Sequence, residues 1–308
     1  MLDTRAIAVL RRHGWQPAEL LGVGMEGTVV ALSAMEVAKV WRGRSRADLD
    51  ALVQFGAALG YADLEFDAPV VLDLLEDDDV LITIERRVHG SPLRIDGLPE
   101  PPVADAAAIR WMGDALAGIA QVQASPGLAA LPILPGDEPF DQQTLFTEAL
   151  ADLVDRRFRA SPRLLRREVD GVDHLVTALT HALRELDAPE VTGLIHGDLI
   201  PANVLVQDDQ VSGMLDFGFL TTIGDPQFDA AITASIFDMY GPHARESEEL
   251  LNDAFLARFG HDPRRYGVYR AAYAVITNAC FGSDAADGHF VWCANMLRRP
   301  DVRSAVLG

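Results

Sequence analysis

Basic side chains are scarce in this sequence. The 308 residues include 26 lysines and arginines against 46 aspartates and glutamates, a formal net charge of −20. Nucleic acid and anionic membrane surfaces are held by clustered basic groups that release counterions, so neither is expected as the main partner. Cysteine is scarcer still. Cys280 and Cys293 are the only two, without the second pair or spaced histidines of a zinc site, and read as small core residues. No apolar run reaches the roughly 18 uncharged residues of a membrane span. Asp3, Arg5, Arg11 and Arg12 break up any signal-peptide core near the amino terminus. A cytoplasmic, reducing setting is expected. With 49% hydrophobic and 23% charged residues, the composition is that of a globular chain, long enough for two domains or lobes.

Hydrophobic spacing divides the chain. A helix is expected over 3–13, started by Asp3 or Thr4 and ended at Gly14. Short valine- and leucine-rich runs follow at 19–23, 28–33 and 35–41, then a helix over 46–59 and strands near 69–75 and 80–88. Residues 89–103 hold Gly90, Pro92, Gly97, Pro99, Pro101 and Pro102, the composition of a connector. Beyond them helical periodicity dominates, as in the stripe Val172, Leu175, Val176, Leu179, Leu183. An irregular excursion is expected at 125–141 and a hairpin at 203–216 turning around Asp208–Gln210. Helices fill the chain from Pro226 on, with breaks near Gly241, Gly260 and 283–288.

Gly22, Gly24 and Gly27 form a G-x-G-x-x-G. A dinucleotide fold needs a helix directly after such glycines. Here Thr28, Val29 and Val30 follow, which favours a strand and a glycine-rich hairpin able to close over phosphates. No G-x-x-x-x-G-K-[ST] loop exists. Lys39 lies twelve residues on, flanked by Val37, Ala38, Val40 and Trp41. A lysine buried there needs an anionic partner, and triphosphate oxygens qualify; the alternative is an edge-strand lysine in water. Farther on, Leu194 and Ile195 precede His196-Gly197-Asp198, and Asn203 stands five residues after Asp198. Asp216-Phe217-Gly218 comes after a short apolar run. Asn203 and Asp216 offer hard oxygen donors of the kind Mg²⁺ takes beside phosphates and water.

H-G-D-x-x-x-x-N followed by D-F-G, with the upstream glycine loop and strand lysine, resembles the aminoglycoside phosphotransferase and choline kinase-like family over roughly residues 20–230. These small-molecule kinases share the protein-kinase fold. Gly197 stands where protein kinases usually have arginine, and no A-P-E motif follows. Gly224-Asp225-Pro226-Gln227-Phe228-Asp229 is similar to the family's G-D-P-x-x-D instead. The resemblance implies an α+β, protein-kinase-like bilobal fold: a small β-rich N-lobe over 1–88, a connector over 89–103 and a larger, mostly helical C-lobe over 104–308. It implies transfer of the γ-phosphate of ATP or GTP, with Mg²⁺, to a hydroxyl of a small molecule, an aminoglycoside- or macrolide-like antibiotic first of all. A metabolic kinase for an amino alcohol or sugar and a non-catalytic nucleotide-binding module are the competing readings.

By the same resemblance Asp198 is the catalytic base or hydroxyl-orienting group, and Asn203 and Asp216 hold Mg²⁺. Lys39 meets the α- and β-phosphates, Gly22, Gly24 and Gly27 belong to the covering loop, and Arg86 and Val88 offer backbone groups to the base. His196 and Asp229 brace the catalytic loop. One departure stands out: the family's lysine pairs with a glutamate on the following helix, and 46–59 contains none. Gln54 lies nearest the expected spacing, so a neutral or shorter partner, or another helix register, is implied. The acceptor region carries Asp238, Glu246, Glu248, Glu249, Asp253, Asp284 and Asp287, suited to a cationic acceptor, and several aromatic residues, suited to an apolar one.

Overall fold

The computed structural model describes residues 3–24, 26–77, 79–94, 103–282 and 286–308. Helix α1 (Thr4–Arg12) begins where the Asp3 carboxylate accepts the Arg5 N–H, and it carries Arg11 and Arg12 at its carbonyl end, as the helix dipole favours. Then come β1 (Leu20–Val23), β2 (Gly27–Ala31), β3 (Glu36–Trp41), α2 (Arg46–Gly60), β4 (Val71–Asp77) and β5 (Val80–Arg86). The five strands form one antiparallel sheet in the order β1-β2-β3-β5-β4. Two-residue alternation sends Ala38, Ile82 and Ile84 to one face, where they pack with Val30, Leu75 and the apolar side of α1. Lys39 pairs across the sheet with Thr83 on the other face. β3 is therefore an interior strand, and Lys39 is not an edge lysine.

β6 (Ser91–Pro92) leads into a mostly helical remainder: α3 (Ala106–Ala120), α4 (Phe146–Ala160), α5 (Pro162–Glu168) and α6 (Val172–Glu185). β7 (Gly193–Ile195), a 3-10 turn at Pro201–Asn203, β8 (Val204–Gln207), β9 (Gln210–Met214) and β10 (Thr222–Gly224) carry the central loops. Helices α7 (Pro226–Ile236), α8 (Ala244–Phe259), α9 (Pro263–Thr277), α10 (Gly288–Arg298) and α11 (Pro300–Leu307) complete the chain. The stripe on α6 is buried in the large core, each such side chain contributing about 1.5–3 kcal/mol. Phe55 and Leu59 of α2 belong to that same core, so α2 ties the sheet to the helical part. Among the described residues no helix is long and apolar enough to cross a membrane.

Residues 125–141 contain neither helix nor strand, as their proline and glycine content implies. Several strand ends differ from expectation by one or two residues: β2 stops at Ala31 and β5 at Arg86, and two other differences have a clear cause. β4, expected to end near residue 75, runs to Asp77, because its hairpin with β5 continues through the pair Asp77↔Val80. The strand expected to reach residue 216 stops at Met214, and Asp216 has φ 65°, a left-handed backbone that a pleated strand does not accept. Gly97, Pro99, Pro101 and Pro102 of the connector, and Asp284, lie outside the described residues.

The three loop glycines are not equivalent. A Cβ on Gly27 would lie 2.2 Å from the Val40 carbonyl oxygen, whereas one on Gly22 or Gly24 meets nothing within 4 Å. Gly27→Ala is expected to lower stability by about 1–3 kcal/mol by prising β2 from β3. Gly24→Ala should leave thermal unfolding unchanged; equal melting temperatures for the two variants would contradict this assignment.

Candidate functional site

The loop after β7 is held from beneath by one carboxylate. Asp229, buried in the first turn of α7, accepts the backbone N–H groups of His196 (2.8 Å) and Gly197 (2.9 Å). Burial pushes its carboxyl up to about 6, against the pull of those two donors. Gly197 has φ +84°, and a Cβ there would lie 2.4 Å from the Phe219 carbonyl oxygen, so glycine is required on both counts. The Thr221 hydroxyl donates to the His196 carbonyl (2.7 Å) and accepts the Gly218 N–H (2.8 Å). It thereby locks this loop to the Asp216-Phe217-Gly218 turn, a role no sequence motif marks.

His196 is fully buried against the Phe217 ring, at 4.6 Å between ring centres. Its Nε2 faces the Leu215 carbonyl at 2.8 Å and its Nδ1 faces the Asp198 N–H at 3.3 Å. Only the Nε2–H tautomer satisfies both contacts, so neither nitrogen is left for a substrate proton. Burial pushes its pKa down to about 4, against the Leu215 carbonyl and the Asp216 charge.

Asp198 is partly buried at the mouth of this loop. Among the described residues no donor meets either of its carboxylate oxygens. Burial, with the negative charges of Asp216, Asp229 and Glu26, pushes its pKa up to about 7. The Asn203 amide donates to the Asp198 backbone carbonyl at 3.0 Å, which leaves the Asn203 amide oxygen as its available donor atom.

From the sheet, Lys39 Nζ reaches Asp216 Oδ1 at 2.8 Å, Glu26 at 3.7 Å and the face of the Trp41 ring at 4.0 Å. Burial opposes its charge, but Asp216, Glu85 and Glu26 outweigh that and raise its pKa. Burial likewise works against Asp216, yet Lys39 holds its carboxyl below the ordinary value. Helix α2 starts where the sequence places it, with Ser45 and Asp48 forming its capping box, and Gln54 on it is exposed. The missing helix glutamate is therefore not a register error. Its place is filled by Asp216, by Glu26 in the glycine hairpin, and by buried Glu85 on β5. Glu85 accepts the Thr83 hydroxyl, which in turn accepts the Trp41 Nε1–H at 2.9 Å. The two-residue phase of β5 with respect to Lys39 is the one sequence signal for Glu85.

At the strand exit, the Arg86 N–H is bonded to the Val70 carbonyl (2.9 Å) and its guanidinium to the Ala68 carbonyl (3.3 Å). Among the described residues the Val88 N–H has no acceptor. Gly22 and Gly24 lie in the β1–β2 hairpin, closed by a Gly24 N–H to Gly27 carbonyl bond of 2.9 Å.

On the acceptor side most of the acidic candidates are already paired. Asp238 is buried against Arg94 (2.8 Å) and the His243 N–H (3.1 Å). Glu248 binds Arg299 through two bonds of 2.8 Å and faces Arg270 at 3.5 Å. Glu249 pairs with Arg245, Glu246 lies 3.6 Å from His243, and Asp287 caps α10. Asp253 is exposed. The aromatic residues do converge. Phe219 stacks on Phe281, Phe281 meets His289 edge-on, His289 stacks on Trp292, and the Tyr240 hydroxyl lies 3.0 Å from His289 Nδ1. Burial, together with Cys293, Asp287 and Asp198, pushes the Tyr240 phenol up to about 12. Tyr240 and Phe281 remain 66% and 44% exposed, which leaves two faces of this cluster open.

The model of the phosphotransferase enzyme family matches residues 19–271, from the glycine hairpin into α9. The chain belongs to that family. This phosphotransferase is similar to several solved structures. It aligns with the macrolide 2'-phosphotransferase of Brachybacterium faecium with a TM-score of 0.61 and 17% identity over 97% of this chain and 99% of that one. For an aminoglycoside 2'-phosphotransferase IIIa solved with GDP, the TM-score is 0.65 and the identity 15%, over 99% of each chain. A macrolide 2'-phosphotransferase type I gives 0.59 and 20%, over 96% and 98%. No curated protein matches the chain. At these identities the likeness shows the fold, a kinase-like phosphotransferase with an antiparallel sheet and a helical lobe.

Buried neutral, His196 must bind a proton when the protein unfolds below its ordinary pKa of 6.5. Its contribution to stability is thus complete above pH 6.5 and is lost as pH falls toward 4. The stability difference between wild type and His196→Asn, read by urea unfolding, should narrow by about 2 kcal/mol between pH 7.5 and 5. A constant difference would mean that the ring titrates freely in the folded protein.

Proposed function

We propose that this phosphotransferase moves the γ-phosphate of ATP or GTP onto a hydroxyl of a small molecule, with an antibiotic-type acceptor bearing an apolar ring as the first candidate. The observation that carries the reading is Asp198. It is the one carboxylate of the loop left without a donor, its pKa stands at about 7, and a rigid frame of Asp229, His196 and Thr221 positions it. Phosphoryl transfer asks a protein chiefly for positioning and charge neutralisation. Asp198 orients the acceptor hydroxyl and takes its proton as the oxygen–phosphorus bond forms and the nucleoside diphosphate leaves. Lys39 neutralises phosphate charge from the sheet, and the open space at Gly22 and Gly24 leaves the hairpin backbone accessible to the oxygens, the Gly24 N–H itself being tied to the Gly27 carbonyl. The free Val88 N–H is suited to the base edge, and Arg86 offers only its carbonyl, its N–H being engaged.

The donor set fits Mg²⁺. The Asn203 amide oxygen and the Asp216 carboxylate are hard oxygen ligands, and an ion that keeps several waters and phosphate oxygens needs few from the protein. When bound, Mg²⁺ supplies charge neutralisation on the transferring phosphates.

Two observations bear on the acceptor. Proteins with this fold include one crystallised with ADP and streptomycin and one with GDP and kanamycin, both polar acceptors. In this chain the buried carboxylates Asp238 and Glu248 are taken by arginines, whereas Tyr240, which feels the Asp198 charge, and Phe281 present open aromatic faces. An apolar, macrolide-like ring therefore suits this site better than a polycation. A cytoplasmic location accords with these substrates.

Asp198→Asn is expected to lower transfer by at least about 10²-fold while Mg-nucleotide binding persists. The assay is a panel of hydroxylated macrolides, aminoglycosides and metabolites, read by mass for phosphoryl addition. Wild-type turnover in that variant would remove Asp198 from its role. Stabilisation by Mg-ATP or Mg-GTP with no phosphorylated product across the panel would favour the non-catalytic module. Phe281→Ala should raise KM for a macrolide acceptor about tenfold with kcat little changed, reflecting lost ground-state contact.

A further inference from the structure

The glycine hairpin carries a carboxylate of its own, Glu26, at the place where a bound phosphate would be expected. Glu26 bridges two cations: one oxygen lies 3.7 Å from Lys39 Nζ, and the other is hydrogen-bonded to the Arg44 guanidinium. We propose that Arg44 is a second phosphate-binding cation of the nucleotide site, and that Glu26 occupies the seat of a phosphate until nucleotide displaces it. This rests on the nucleotide-dependent reading above.

Four features carry the inference. The Lys39 and Arg44 side chains are each only 14% exposed, and cations so enclosed require an anion beside them. Arg44 belongs to the same charge cluster as the metal-ligand candidate, since its charge helps hold down the Asp216 carboxyl. Its backbone is fixed on both sides. Gly43 turns the chain in the left-handed region at φ +68°, and Ser45 opens α2 in a capping box with Asp48. Glu26, by contrast, sits at the hairpin tip with its side chain 34% exposed. Its carbonyl is anchored by the Arg42 N–H at 2.8 Å, so the side chain can swing outward without disturbing the strands. A planar guanidinium binds phosphate oxygens in pairs, and a phosphate brings more charge to the two cations than the single carboxylate it replaces.

Calorimetric titration of the full chain with Mg-ATP and Mg-GTP, and with the matching nucleosides, tests the proposal. Arg44→Gln should weaken triphosphate binding about tenfold and leave nucleoside binding unchanged. Arg44→Lys should recover part of the loss. Glu26→Gln should tighten triphosphate binding about threefold, because it removes the competing anion. Unchanged triphosphate affinity in Arg44→Gln overturns the proposal. Equal weakening by Glu26→Gln and Arg44→Gln also overturns it, marking the pair as a latch that shapes the hairpin. Should Arg44→Gln fail to fold, the sign of the Glu26→Gln effect still decides. A wild-type protein that binds neither triphosphate overturns the nucleotide reading and this inference with it. Binding by wild type with no response to either variant overturns this inference alone.

Discussion

The ion pair between Lys39 and Asp216, 2.8 Å long and spanning 177 residues of sequence, is the contact around which the site is organised. It joins the sheet to the turn that follows the central hairpin. In doing so it sets both partners: a lysine whose burial would otherwise lower its pKa stays charged, and a carboxylate whose burial would otherwise raise its pKa stays ionised. A second link runs beside it through apolar contact. Phe55 of α2 packs on Phe217, ring centres 5.4 Å apart, and Phe217 in turn packs on His196. The residue after Asp216 therefore transmits the position of α2 to the loop that carries Asp198. One link is electrostatic, the other apolar.

The loop itself shows how a buried polar network can be rigid and still leave one group free. Asp229, Thr221, the Asn203 amide N–H and both nitrogens of His196 have their hydrogen bonds made within the frame. Asp198 does not. Burial first, then the charges of Asp216, Asp229 and Glu26, raise its proton affinity, which suits the proton-accepting role proposed for it. His196 is kept from that role by its own contacts, which engage both ring nitrogens.

The net charge of −20 takes on a narrower meaning. In the function proposed above, phosphate is neutralised locally, by Lys39, Arg44 and the hairpin, without a basic surface. On the acceptor side the buried acids are not a cation trap, since Asp238 and Glu248 hold helices α8 to α11 and the start of the helical lobe together through Arg94, Arg270 and Arg299. Much of the remaining acid stays in solvent, where it serves solubility.

The α+β order, the strand after the glycines and the spacing of His196, Asp198, Asn203 and Asp216 were legible in the sequence, because each depends on local periodicity or on a short motif. The same spacing carried the family. What sequence could not supply was everything set by contacts between distant segments. The absent helix glutamate is an example. It reads as a defect along the chain, yet Glu26, Glu85 and Asp216, from a hairpin, a neighbouring strand and the far lobe, bring their charges to one lysine. Thr221 and Arg44 belong to no motif, and their roles exist only once the loops are folded side by side. The chemistry on offer is written along the chain, since it resides in side-chain types at fixed spacing. Which acids stay free and which are neutralised by arginine follows from folding alone, because pairing and burial depend on distance in space.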